Sequence, residues 1–124
     1  PLQRFQQARN AQRWADITAM LNSIKINQVD NGGSYLAVIT ALANGNYYEI
    51  GTSTGTASCT AQASAVAYVD LSGLVTAGYL GSIPQDPQNG SAATTDYYIM
   101  KAATGIITIG ACSPEASATI KASR

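Results

Sequence analysis

The chain has 124 residues, enough for one domain with a modest core. Seven Lys plus Arg balance seven Asp plus Glu, and only 11% of residues are charged, so no basic field exists to hold nucleic acid along a stretch. There is no His, which excludes Ser-His-Asp and Cys-His catalysis and any His-ligated zinc site.

The first predicted element is a long amphipathic helix over residues 1–29, starting almost at the first residue. Leu2, Phe5, Trp14, Ile17, Leu21 and Ile24 recur at helical spacings, with Ala8 and Ala11 between them. Arg9, Arg13 and Asp16 are expected on a more exposed face. Bulky residues crowd the second half, so Trp14, Ile17, Leu21 and Ile24 are predicted to pack on a core while the first half projects. No capping turn introduces this helix, which predicts a further segment upstream. The segment Asp30-Asn31-Gly32-Gly33 is a stop signal.

Residues 34–42 (SYLAVITAL) have no clean period and fit either a short strand or a helical turn. Residues 47–52 (YYEIGT) are β-prone. Residues 51–64 are small and polar and predict a loop tethered at Cys59. Residues 70–80 (DLSGLVTAGYL) predict a short helix near 70–78, with Asp70 as N-cap, Leu71, Leu74 and Val75 buried, and Gly78 ending it. Pro84 and Pro87 force an extended loop. Residues 96–102 (DYYIMKA) and 106–111 (IITIGA) predict an antiparallel hairpin, and residues 118–123 a last edge strand.

The expected fold is therefore α+β. A helical spine over 1–29 packs on a small antiparallel sheet over 96–124, through an irregular connecting region over 30–95 that holds one short helix. All 124 residues form a single domain.

The two cysteines, Cys59 and Cys112, are too few for a Cys-only zinc site and too distant for a CxxC. They predict one disulfide and an oxidising location, closing a loop of roughly 50 residues worth about 3–4 kcal/mol. The alternative is two buried free thiols. Asp86, Asn89 and Asp96 offer oxygen ligands for calcium, but without EF-hand spacing, so loop solvation with Asx-turns is the expected reading and no metal site is expected. Glu49, Asp70, Asp86 and Glu115 are the carboxylates for acid–base work, yet no motif brings two together, so no enzyme is expected. The seven tyrosines serve core and loop packing. Asn89-Gly90-Ser91 matches a glycosylation sequon of low specificity.

Three segments in order, ARNAQRWADITAML, DLSGLVTAGYLGSIPQDP and TDYYIMKAATGIITIGACSPE, resemble the globular part of bacterial type IV pilins and type II secretion pseudopilins. The middle one is the most specific. The resemblance implies a helical spine with a short sheet packed on it, a chain that closes near a late cysteine, and an apolar N-terminal half-helix that anchors the subunit in the inner membrane and then packs in a filament core. It implies a structural subunit of an extracellular, cell-surface filament, with copies of itself and other pilins as partners. Leu2, Phe5, Arg9 and Arg13 are then the residues expected to serve assembly. The loop after Pro87 lacks the aromatic residue common in major pseudopilins, which tilts the expectation toward a pilin. The alternatives are a secretion pseudopilin, or a minor pilin binding DNA or a surface ligand through Lys25, Lys101 and Lys121.

Overall fold

A computed structural model describes residues 1–59 and 65–124. The chain runs through α1 (Leu2–Asp30), α2 (Ala37–Thr40), β1 (Tyr47–Ile50), β2 (Ala65–Val69), α3 (Ser72–Thr76), β3 (Tyr97–Lys101), β4 (Ile107–Ala111) and β5 (Lys121–Ser123). Helix α1 packs on a five-stranded mixed sheet in the order β2-β1-β3-β4-β5. It crosses mainly β4 and β5, with a smaller contact to α3.

Both longer helical stops have the same chemistry. Gly32 (φ +65°) and Gly78 (φ +85°) take the left-handed conformation just past α1 and α3. Each donates its amide three residues back, to Val29 and Val75, and the next amide reaches Gln28 or Leu74. These are Schellman caps, which satisfy carbonyls that the helix end leaves free. Asp70 holds the start of α3 by accepting from the Ser72 amide at 2.9 Å, although Leu71 occupies the cap position itself. Residues 34–42 resolve into the single turn α2.

The sheet is larger and less uniform than the hairpin and edge strand alone. Strand β1 joins β3 antiparallel, with Tyr48 opposite Ile99, and β2 joins β1 in parallel. The connecting region therefore supplies two strands. Strand β2 carries no clear alternating pattern, and its small residues gave no sign that it would pair. The polar loop expected over residues 51–64 holds no helix or strand as far as Cys59; its residues 60–64 lie outside the described residues.

Alternation along the strands divides two cores. On the α1 side, Ile17, Met20, Leu21 and Ile24 pack among Ile50, Tyr97, Ile99, Ile107, Ile109 and Ile120. On the far side, Tyr98, Ala57, Ala65, Cys59 and Cys112 form a smaller cluster around a Cys59–Cys112 disulfide. Tyr98 stands opposite Gly110 across the β3–β4 pair. A Cβ on Gly110 would lie 2.4 Å from the Tyr98 ring, so the ring occupies the space a side chain would take. Tyr47 meets that ring edge-on, with centroids 5.5 Å apart.

Trp14 is a correction. It is 43% exposed, whereas Ile17 and Leu21 are fully buried. The covered face of α1 runs through Arg13, Ile17, Met20, Ile24 and Asn27, at steps of three and four. Trp14 falls beside that line and stays exposed.

Candidate functional site

The same line, followed backwards, defines the candidate site. Leu2, Phe5, Arg9, Arg13, Ile17, Met20 and Ile24 succeed one another by three or four residues and share one helix face. From Arg13 onwards the domain covers that face. Ahead of it, Leu2 is 67% and Phe5 62% exposed. The line thus leaves the domain through two arginines and ends in solvent with two apolar side chains, Leu2 and Phe5.

A cluster of charges sits where the stripe emerges. Arg13 is fully buried. Its Nε donates to Asp86 Oδ2 at 2.7 Å and its Nη2 to Asp86 Oδ1 at 3.1 Å, the two-pronged geometry that suits guanidinium and carboxylate. Its Nη1 donates to Glu115 Oε2 at 2.6 Å and to Asn10 Oδ1 at 2.9 Å. Arg9 grips Glu115 from the other side, Nε to Oε2 at 2.6 Å and Nη2 to Oε1 at 2.5 Å. Asn10 adds a reciprocal pair with the Glu115 backbone. The cluster fastens α1 to the loop after α3 and to the loop after β4.

Its electrostatics favour the charged forms. Burial pushes the Asp86 carboxyl upward, but Arg13 and the amides of Asn89 and Gln88 outweigh it and hold the group below its ordinary value. Glu115, gripped by Arg9 and then Arg13, is lowered from 4.5 to about 2. Below the cluster, Tyr97 donates its hydroxyl to Asp16 Oδ2 at 2.5 Å, and Gln12 donates to Asp16 Oδ1 at 2.7 Å. Burial, and then Asp16, push the Tyr97 hydroxyl far above its usual range.

These contacts correct the reading of this helix face. Arg13 and Asp16 are buried, not exposed, and Arg13 is wholly engaged within its own domain rather than available for assembly. Arg9 keeps part of its surface but is also bound to Glu115. Asp86 and Glu115, which no motif joined, meet around one guanidinium. Arg9 and Arg13 do lie on the Phe5–Ile17 line, but that line is exposed at Phe5, and Arg13 is buried because Asp86 and Glu115 arrive over it.

The calcium candidates do not assemble as a trio. Asp86 is committed to Arg13, and Asn89 is exposed in the following turn. Asp96 instead approaches Glu49 and Cys112 on the far face of the sheet, their donor atoms within 4.8 Å of one another. The Cys112 sulfur is in the disulfide and offers no thiolate. Glu49 accepts from Ser58 N and Oγ and from the Asp96 amide, and two carboxylates fall short of the six to eight oxygens calcium takes. Asp96 has φ +66°, and its Oδ2 is buried without a partner among the described residues. Burial, and further the charges of Asp86 and Glu49, raise its carboxyl above the ordinary value.

The lysines are dispersed. Lys25 donates to the Tyr35 hydroxyl and Lys101 to the Thr40 carbonyl, while Lys121 lies exposed on the edge strand β5. No helix among the described residues is long and apolar enough to cross a membrane.

The chain matches no known family, and neither a characterised protein nor a solved structure is significantly similar to it.

Proposed function

We propose that this chain is the globular part of a structural subunit of a type IV pilus-like surface filament. The observation that carries the reading is the stripe of α1, covered by the sheet from Arg13 onwards and bare at Leu2 and Phe5. A projecting helix face of that kind supplies the start of a spine through which subunits associate, by burying apolar surface between neighbouring helices. The long helix laid on a sheet, closed by a late disulfide, agrees with the pilin-like architecture. The disulfide also suits a location outside the reducing cytosol. The charge cluster has a mechanical role in this reading. It locks the helix to two loops at the point where the spine leaves the domain, so load on the spine reaches the sheet through charge-assisted bonds.

The reading requires an apolar helix ahead of Leu2 in the mature subunit. An antibody raised against this domain, applied to filaments sheared from the source cells, tests it. Gold label along the fibres, with an apolar N-terminal segment in the extracted subunit, is the expected result. A protein confined to the cytosol and absent from the sheared fraction would overturn it.

A further inference from the structure

A helical fibre is built from two different patches on each copy, one that inserts and one that receives. Phe5 is the largest strongly exposed apolar side chain near the start of α1, and an aromatic ring of this kind buries about 150–250 Å² when it docks. A receiving pocket of about 380 Å³ opens elsewhere on the domain, at the carboxyl ends of the parallel strands β1 and β2. Its floor is the buried pair Ile50 and Leu71, and Val75 and Ile83 also line it.

Charge distinguishes the two patches. Arg4, next to Phe5, is exposed, and Asp70 is exposed at the pocket. Neither belongs to an ion pair among the described residues. Asp70 uses Oδ1 for the Ser72 amide, which leaves its other oxygen for a cation. A positive group beside the knob therefore faces a negative group beside the hole, the arrangement that sets register between partners.

We infer that Phe5 of one copy enters the pocket between β1, β2 and α3 of the next copy, with Arg4 pairing to Asp70. The inference rests on the filament reading and adds the contact that propagates it.

The test uses the full-length subunit in the source cells. Arg4→Glu and Asp70→Arg alter exposed side chains, and circular dichroism of each purified variant checks that it folds. Each single change is expected to reduce sheared filament yield about tenfold or more, by setting like charges together, and the double change to restore it. Because Cys59 and Cys112 are joined in the disulfide, Arg4→Cys combined with Asp70→Cys provides a second readout. A short bis-maleimide should link neighbouring subunits of the double-cysteine fibres into a ladder, and neither single variant should form one. Wild-type fibres that carry the protein, unaffected single charge variants and no ladder would overturn the docking while leaving the filament reading intact. Absence of the protein from wild-type fibres would overturn both.

Discussion

Arg13 and Asp86, 73 positions apart, form a two-bonded ion pair in which neither side chain has any exposed surface. Such a pair holds α1 to the loop beyond α3 with directional bonds rather than by apolar area. Removing one partner leaves the other buried and uncompensated. Arg13→Met is therefore expected to cost about 3–5 kcal/mol, measured by urea denaturation. Pairing it with Asp86→Leu should recover most of that loss, because the desolvation cost disappears with the charge. Equal losses in the single and double variants would show that the pair is not the element holding the loop.

Acid should act through the same cluster. Asp86 lies below its ordinary value of 3.8, and Glu115 falls from 4.5 to about 2. A carboxyl lowered by folding contributes stability above its unfolded pKa and loses it as pH falls through the folded one. Stability is expected to decline between about pH 4.5 and pH 2, the window those two groups set. Glu115→Gln should flatten that decline when the midpoint of chemical denaturation is followed against pH. An unchanged slope would place the acid sensitivity elsewhere.

Asp96 predicts the opposite sign. Its carboxyl is raised by burial and by neighbouring negative charge, so its favourable contribution is present below the unfolded value of 3.8 and is lost as pH rises through the folded one. Asn tolerates the positive φ at this position and brings an N–H donor to the Glu49 side. Asp96→Asn is expected to stabilise the protein by about 1–2 kcal/mol at pH 7 and to give little gain near pH 3. Thermal melts at the two pH values separate these outcomes; a loss at pH 7 would contradict the account.

Neighbouring positions on α1 should differ sharply. Ile17→Ala removes a fully buried side chain and is expected to cost about 2–5 kcal/mol. Trp14→Ala, at a residue 43% exposed, should cost less than Ile17→Ala despite the larger volume removed. As the sole tryptophan, Trp14 should also be open to quenching by a soluble quencher in the folded protein. A shielded indole would show that the edge of the core closes over it.

The Tyr98–Gly110 pair fixes how close a ring lies to the strand opposite. Gly110→Ala places a carbon 2.4 Å from that ring and should cost about 1–3 kcal/mol in a denaturant titration. A neutral effect would mean the ring has room to move.

Local chemistry was legible residue by residue. The helical period of α1, the glycine stops at 32 and 78, and the β-branched run that becomes β3 and β4 act over a few residues, so they are present in sequence. The pairing of Cys59 with Cys112 followed from their number. Strand β2 was not legible, because Ala65 to Val69 pairs for reasons that lie in β1 rather than in its own pattern. The charge cluster was not legible. Charge alone puts Arg9, Arg13 and Asp16 on an exposed face, whereas the structure buries Arg13 and Asp16, and which carboxylates the two arginines meet depends on loops more than 70 residues away.

The sequence by itself determined where the chain becomes a helix, where that helix stops, and that apolar residues recur along one face of it, since these depend on neighbours within one or two turns. Only the tertiary structure decided that the sheet covers that face from Arg13 onwards and leaves Leu2 and Phe5 bare. Coverage is a long-range property: it depends on where Asp86 and Glu115 arrive in space, and a charge buried at Arg13 is tolerable only because they arrive there.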